Sequence, residues 1–273
     1  MKKKYLIGNL KMNLSSKEEA DQYLSVLKRE TAGRHFEHVE IVVAPPFIHL
    51  DRFHRELSKG IALGAQDVFW EKEGSYTGEI SPSMLKDIGV EYAIVGHSER
   101  RTYGRETDED VAKKVHAALR SNLRPVLCVG ETADERSSEK IAEVLEAQLL
   151  EPFRELSSLQ AEKIIIAYEP RWAIGTDKTP DAGEILQAKV IMYRTIAASC
   201  GAAVADRIPI LYGGSVKTAL LERVCFEAHM DGVLVGRESL FPYEVVKMAE
   251  RLESYEKEML VAEKEKTDKK WPV

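Results

Sequence analysis

The length of the chain, 273 residues, is compatible with two ordinary domains or with one large α/β barrel. Hydrophobic residues make up 44% and charged residues 31% of the sequence, with 17 glycines and 10 prolines, which excludes collagen-like, low-complexity and disordered classes. The formal net charge of −6 argues against general nucleic-acid binding, which requires a basic face. An anionic ligand would therefore have to be held by local groups.

Cysteine usage and the N-terminal segment predict a protein of a reducing compartment. Cys128, Cys200 and Cys225 include no CxxC pair, which favours reduced thiols over a disulfide framework or a zinc site. The first apolar run ends at Lys11, too early for the core of a signal peptide, and no stretch of about 18 apolar residues follows. We therefore expect a cytoplasmic protein without a membrane span, a metal or a cofactor.

Eight short runs of β-branched or apolar residues recur along the chain and predict strands. Most runs are continuous rather than alternating, which is typical of strands buried on both faces of a parallel sheet. The predicted strands are Tyr5–Gly8, Val39–Ala44, Ile61–Ala65, Tyr92–Val95, Pro125–Val129, Ile164–Tyr168, Ile208–Tyr212 and Gly232–Val235.

Segments with helical spacing of apolar residues lie between these strands. The clearest amphipathic faces are at Val111–Leu119, Ile141–Leu149 and Ile185–Met192. Alternation of strand and helix predicts parallel βαβ units, and eight units of roughly thirty residues match a single-domain α/β protein with the (β/α)8 TIM-barrel fold. The other candidate is a doubly wound open sheet, but its glycine-rich nucleotide fingerprint is absent after the first strand.

The composition changes near the C-terminus. Residues 250–273 contain seven acidic and six basic side chains, which predicts the end of the last helix followed by a solvated charged tail. The predicted division is a (β/α)8 barrel over residues 1–250 and a charged C-terminal extension over residues 251–273 that is dispensable for activity.

Polar residues follow several predicted strands, at the end where such barrels carry their active sites. Taken singly, each has a structural explanation as a surface lysine, a loop histidine, an ion-paired acid or a tight turn. Together they supply a base, an acid, a cation and backbone donors, as an active site requires. They are Asn9 and Lys11 after strand 1, His97 and Glu99 after strand 4, Glu169 after strand 6, Gly213-Gly214-Ser215 after strand 7 and Gly236-Arg237 after strand 8.

Eight ordered motifs extend over most of the chain. They are Gly8-Asn9-Leu10-Lys11-Met12-Asn13, Gly64-Ala65-Gln66-Asp67, Gly74-Ser75-Tyr76-Thr77-Gly78-Glu79, Gly96-His97-Ser98-Glu99-Arg100-Arg101, Cys128-Val129-Gly130-Glu131, Tyr168-Glu169-Pro170, Trp172-Ala173-Ile174-Gly175-Thr176 and Tyr212-Gly213-Gly214-Ser215-Val216. Together the motifs resemble the triosephosphate isomerase family. The resemblance implies an aldose–ketose isomerase of glycolysis and gluconeogenesis that acts on a small phosphorylated sugar.

The resemblance also implies a role for each polar residue at the strand ends. Glu169 would be the catalytic base, His97 the electrophile and Lys11 a fixed positive charge. Asn9 would be a further donor, and Glu99 a neighbour of Lys11 or simply its salt-bridge partner. Moving a carbonyl to the next carbon requires removal of an adjacent proton, and donors and a cation stabilise the resulting enediolate. The helix start after His97 would lower the pKa of this histidine and keep it neutral.

Further segments are assigned by the same resemblance. Pro170–Pro180 would be a mobile lid that excludes water, with lid residues Pro170, Trp172, Ile174, Thr176 and Lys178. Backbone N–H groups at helix starts would bind the phosphate, with binding residues Gly175, Gly214, Ser215, Gly236 and Arg237. The loop Trp70–Glu79 would carry Thr77 to the site of a neighbouring subunit, which implies a homodimer.

Some positions near the implied substrate differ from the family pattern. Arg237 and Glu238 replace a glycine and a small residue, Arg171 replaces a valine, Asp177 a glycine and Leu10 a tryptophan. A left-handed backbone at Arg237 would cost about 1–2 kcal/mol. Otherwise the turn differs slightly, the guanidinium points toward an acid or a phosphate, or it is a surface group.

These differences keep two alternatives open beside a triosephosphate isomerase. One is a tetrulose-phosphate (erythrulose phosphate) isomerase of the same family, because a changed phosphate corner could reposition a longer substrate. The other is a non-catalytic barrel used for binding or as a scaffold, which the intact base, histidine and lysine disfavour.

Overall fold

A computed structural model describes residues 3–174 and 179–268 and contains eight parallel strands that close into a barrel in chain order. The predicted (β/α)8 fold is confirmed. Four predicted strands have the observed bounds, and the other four differ by one or two residues at one end or, for the first strand, by one residue at both ends. The strands are β1 Lys4–Asn9, β2 Val39–Ala44, β3 Ile61–Ala65, β4 Tyr92–Val95, β5 Arg124–Val129, β6 Ile165–Tyr168, β7 Ile210–Tyr212 and β8 Gly232–Val235.

Helices connect the strands, and each of the three predicted amphipathic faces lies on one of them. The α-helices are α1 Lys17–Thr31, α2 Leu50–Glu56, α3 Pro82–Asp87, α4 Ser98–Tyr103, α5 Asp108–Arg120, α6 Ala133–Ser137, α7 Ile141–Phe153, α8 Ser158–Ala161, α9 Ala182–Cys200, α10 Ala202–Ala205 and α11 Pro242–Asp268. Across the described ranges, none of these helices has the length and apolarity that crossing a bilayer requires. Cys128, Cys200 and Cys225 are free thiols.

Alternate residues of each strand enter two separate cores, which explains why the strand sequences are continuously apolar. Ile7 and Val42 point into the barrel, where they pack with other inward residues such as Leu234. Leu6 and Val43 point outward and pack against the surrounding helices. A strand with both faces buried needs apolar side chains at successive positions.

Barrel closure depends on a close approach between the first and last strands. Tyr5 of β1 pairs with Gly232 of β8. A Cβ atom at Gly232 would lie 2.0 Å from the carbonyl oxygen of Tyr5, and the φ angle of Gly232 is +146°. Glycine is therefore required at this junction, which brings all eight C-terminal strand ends to one face.

The last helix, α11, runs without a break across residue 250. Its buried part extends to Leu252 and Glu253, and the Glu253 carboxylate accepts the backbone N–H of His38 at 2.8 Å. Tyr255 stacks on Phe226 with ring centroids 3.6 Å apart. The helix continues to Asp268, within the segment 251–273 predicted to hold the end of the last helix and a charged tail. The functional division at residue 250 stays a prediction.

Two C-terminal truncations test that division. Deletion of residues 259–273 leaves the contacts of Glu253 and Tyr255 in place, so we expect an unchanged melting temperature and unchanged turnover. Deletion of residues 253–273 removes both contacts, and we expect a loss of about 1–3 kcal/mol in the free energy of unfolding. Calorimetry of both variants measures the difference. Equal destabilisation by the two deletions would contradict the assignment.

Candidate active site

A cavity of about 460 Å³ opens at the C-terminal ends of the strands. A barrel of parallel strands gathers side chains from distant parts of the chain at this end. The structure brings the residues predicted from the strand ends together here, and the predicted lid residue Ile174 also lines the cavity. The strand-end residues are Asn9, Lys11, His97, Glu99, Glu169, Gly213, Gly214, Ser215, Gly236 and Arg237.

Glu169 and His97 form the centre of the cavity. The Glu169 side chain follows β6, and the residue is only 2% exposed. One carboxylate oxygen, Oε2, accepts the backbone N–H of Ser98 at 3.0 Å. The other, Oε1, lies 3.2 Å from Nε2 of His97. Both oxygens are therefore engaged by the residues that begin α4.

The position of His97 before α4 determines where its ring can carry a proton. His97 is the N-cap of this helix, and its Nδ1 atom accepts the backbone N–H of Glu99 at 3.2 Å. An acceptor nitrogen carries no proton, so the neutral ring has its proton on Nε2. That proton is directed at Glu169 and toward the cavity.

The pKa values of this pair follow from burial and from their proximity. Burial alone lowers the pKa of His97, but the Glu169 carboxylate outweighs it, and the pKa of His97 lies above its usual value. Burial alone raises the pKa of Glu169, but His97 and the Ser98 N–H outweigh it, and the pKa of Glu169 is lowered. The net lowering of the His97 pKa expected from sequence is not found in this arrangement, where the contributions of the Glu169 carboxylate are the largest of those that raise it.

Lys11 supplies the positive charge, and an unusual backbone positions it. Its φ angle is +52°, a left-handed conformation that a side chain makes unfavourable. The Asn9 side chain accepts the Lys11 N–H at 3.0 Å, and Gln66 donates to the Lys11 carbonyl at 2.8 Å. The Lys11 ammonium lies 2.6 Å from Glu99. Gln66 lies in the motif that begins at Gly64, but nothing in the neighbouring sequence indicated its contact with Lys11.

The two glycines after β7 make room for the base and for a tyrosine. A Cβ atom at Gly213 would lie 2.7 Å from Cγ of Glu169, and one at Gly214 would lie 2.2 Å from the Tyr212 hydroxyl. This hydroxyl is buried and has no hydrogen-bond partner among the described residues. The glycine pair therefore does more than form the tight turn considered from sequence. A side chain at position 213 would displace Glu169, and one at position 214 would displace the Tyr212 ring.

A second buried carboxylate, Glu131, supports the segment after Glu169. Glu131 is fully buried and accepts hydrogen bonds from the Tyr168 hydroxyl at 3.1 Å and from the Trp172 indole at 2.7 Å. Its backbone carbonyl accepts the Arg171 N–H at 3.0 Å. The sequence motif contains Glu131 but gave it no role. Its contacts join β5 to a short 3₁₀ turn, Arg171–Ala173, that follows Pro170.

The positions that differ from the family pattern fit the fold in different ways. Arg237 begins a 3₁₀ turn and has no positive φ angle, so the left-handed strain considered for this position does not arise. Arg237 and Glu238 both line the cavity. Leu10 is fully buried in the core. Asp177, like the predicted binding and lid residues Gly175, Thr176 and Lys178, lies outside the described residues.

Thr77 does not lie in the cavity. It is exposed in the loop after β3, where residues 71–79 are all solvent-accessible. Its predicted role requires a second chain and stays a prediction. The described part of the chain contains no cluster of three or more His, Cys, Asp or Glu side chains suited to a metal ion.

The fold and the cavity define a (β/α)8-barrel enzyme with a carboxylate, an imidazole and an ammonium group at the strand ends. The family model described as "Triosephosphate isomerase" matches residues 4–252. The chain belongs to the triosephosphate isomerase family, a family of isomerases.

Relatives named triosephosphate isomerase agree with this assignment. The protein of Alkaliphilus oremlandii (strain OhILAs) is 43% identical over 241 residues, 88% of this chain and 96% of that protein. The protein of Thermoanaerobacter sp. (strain X514) is 42% identical over 255 residues, 91% of this chain and 99% of that protein. The protein of Citrifermentans bemidjiense is 44% identical over 241 residues, 88% of this chain and 95% of that protein.

The coupling of Glu169 to His97 is testable by titration. In Glu169→Gln the charge that raises the His97 pKa is lost, while burial and Lys11 still lower it, so we expect a lower pKa for His97. NMR titration of the ring nitrogens measures the change. Glu99→Gln is the matched control, with a smaller expected decrease because the effect of Glu99 is weaker. An unchanged His97 pKa in Glu169→Gln would refute the coupling.

Proposed function

We propose that this protein interconverts dihydroxyacetone phosphate and glyceraldehyde 3-phosphate through an enediolate, with Glu169 as the base. Membership of the family supports this reaction. The single observation that carries the proposal is the grouping of the Glu169 carboxylate, His97 Nε2 and the Lys11 ammonium around one cavity. Proton transfer next to a carbonyl needs these three kinds of group.

The residues divide the chemistry between them. The Glu169 carboxylate takes a proton from the carbon beside the substrate carbonyl, and the electrons of that C–H bond form the carbon–carbon double bond of the enediolate. His97, with its proton on Nε2, donates to the oxygens on which negative charge develops. Lys11 and the Asn9 amide stabilise the same charge. His97 gives its Nε2 proton to the former carbonyl oxygen and takes up the proton of the neighbouring hydroxyl, so that this second oxygen becomes the new carbonyl. Return of the carbon-bound proton from Glu169 to the neighbouring carbon completes the isomerisation.

The phosphate requires donors at the other end of the cavity. Ser215 and Gly236 lie at the ends of β7 and β8, where backbone N–H groups precede short helical turns. The segment that begins at Pro170 would cover the substrate, since Ile174 already lines the cavity. Exclusion of water would protect the enediolate and strengthen its electrostatic stabilisation.

The tetrulose-phosphate alternative is not favoured. The matching family model and the relatives compared above carry the name triosephosphate isomerase. Arg237 was the main reason for considering a longer substrate, and its turn forms without a left-handed backbone. We propose that Arg237 adds a cation at the phosphate end of the cavity without changing the sugar.

Replacement of the base tests the proposed chemistry. Glu169→Gln removes the proton acceptor, so we expect kcat/KM for glyceraldehyde 3-phosphate to fall by about 10²–10⁴-fold with the fold retained by circular dichroism. The unmodified enzyme should turn over the triose with kcat/KM near the diffusional region of about 10⁷–10⁹ M⁻¹s⁻¹. Retained turnover in Glu169→Gln would exclude this base. Faster turnover of an erythrulose phosphate would exclude the triose as the main substrate.

We also propose a homodimer formed by loops at the strand-end side of the barrel. Large apolar side chains are exposed in loops or short helices after three strands: Met12 is 97%, Ile48 81% and Tyr103 83% exposed. Thr77 lies in the loop after the intervening strand β3. Exposed apolar groups at one end of a protein are typical of an association surface.

A charge placed in this surface tests the dimer. We expect analytical ultracentrifugation to give twice the mass of one chain, and Ile48→Lys to shift the equilibrium toward monomers because it buries an unpaired ammonium. Leu159→Lys is the matched control, since Leu159 is 76% exposed on α8 and lies before the N-terminal end of β6. A monomeric parent, or equal effects of both substitutions, would contradict the proposed interface.

A further inference from the structure

In the observed arrangement, groups of the protein contact both oxygens of the Glu169 carboxylate. The Ser98 N–H and His97 Nε2 engage the two carboxylate oxygens of Glu169. We call this arrangement the retracted position. To accept a proton from substrate the carboxylate has to leave these partners, and His97 has to direct its proton at the substrate. We call the position in which the carboxylate faces the substrate the engaged position. The free energy needed to leave the retracted position therefore weakens the binding of any ligand that requires the base in the engaged position.

Arg171, two residues after the base, is hydrogen-bonded to the same helix, α4. Its Nη2 atom donates to the Thr102 hydroxyl at 2.9 Å. The Thr102 hydroxyl in turn donates to the carbonyl of Ser98 at 2.8 Å, and the N–H of Ser98 holds Glu169. The side chains at both ends of the segment 169–171 are thus bonded to α4, and the residue between them is a proline with a restricted φ angle.

Within residues 3–174 and 179–268, the Arg171 side chain has no polar partner besides Thr102. Among the described residues, Thr102 is the only hydrogen-bond partner of its guanidinium, and no carboxylate lies within ion-pair distance. Its backbone N–H bonds to Glu131 whatever the side chain is. The long side chain of Arg171 therefore reaches the hydroxyl that donates to the Ser98 carbonyl.

We propose that Arg171 is a positioning residue that acts through Thr102 to stabilise the retracted position of Glu169. The inference rests on the proposed function of Glu169 as the base. Loss of the Arg171–Thr102 bond makes the retracted position less stable and raises the population with an engaged carboxylate. Ligands that require the engaged base then bind more tightly, and KM falls while kcat changes little.

Thr102→Val is the main test, because it removes the acceptor hydroxyl and leaves every charge in place. The probe is 2-phosphoglycolate, a phosphorylated carboxylate that resembles the enediolate, with affinity measured by isothermal titration calorimetry. The substitution removes the bond from Arg171 and also the bond from Thr102 to the Ser98 carbonyl. Loss of the bond from Arg171, which favours the retracted position, should tighten binding about three- to fivefold. Arg171→Met should act in the same direction at high ionic strength, where loss of its charge matters least.

The double variant separates positioning from general structural damage. If the two side chains act through one bond, Thr102→Val has no further effect in the Arg171→Met background. Arg207→Met is the matched control, because Arg207 is an exposed arginine paired with Glu162 and precedes the opposite end of β7. It should leave the affinity unchanged. A purely structural role predicts a lower melting temperature with equal or weaker binding.

The outcomes distinguish this inference from the proposed function. Unchanged or weaker binding of 2-phosphoglycolate to Thr102→Val, or additive effects in the double variant, overturns the role of Arg171 even if the parent is a fast isomerase. An inactive parent, or an active Glu169→Gln variant, overturns the proposed function instead. Tighter binding in both single variants without additivity, together with a lower KM and nearly unchanged kcat, supports the positioning role.

Discussion

Glu169 has to remain charged at a position that is only 2% exposed, although burial by itself opposes ionisation of a carboxyl group. The surrounding structure offsets this cost with the Ser98 N–H, the His97 ring and the more distant Lys11. The first residues of α4 supply two of these groups. Gly213 is small enough to leave the space that the carboxylate occupies. The ends of β4 and β6 and the start of α4 thus together stabilise one buried charge.

The same constraint explains which departures from the family pattern the fold accepts. Leu10 fills core space, and Arg237 forms a turn without a left-handed backbone, so neither alters the groups around Glu169. Arg171 differs because its side chain bonds to the helix that holds the base. A substitution at the edge of the site can thus affect the energy of the base without contacting the substrate.

Much of the fold was predictable because the information is local. A strand with two buried faces must be apolar at successive positions, and the run Val39–Ala44 therefore predicted β2 with its observed bounds. Helix α11 was less predictable, since its charged C-terminal half has few apolar positions that would distinguish a helix from a tail. For the site, the polar residues after five of the eight strands were identifiable because parallel strands bring their ends to one face.

The sequence by itself determined the eight strands, the barrel, the family and the polar strand-end residues that face the cavity, because these depend on local patterns and ordered motifs. Only the tertiary structure decided which atoms meet. Ser98 and Glu169 are 71 residues apart, Lys11 and Glu99 are 88 apart, and Thr102 and Arg171 are 69 apart. Barrel closure brings these residues to within hydrogen-bond distance of one another, and such distances in space set the directions of the pKa shifts. The raised pKa of His97 and the anchoring of Arg171 therefore could not be obtained from helix starts or motif spacing alone.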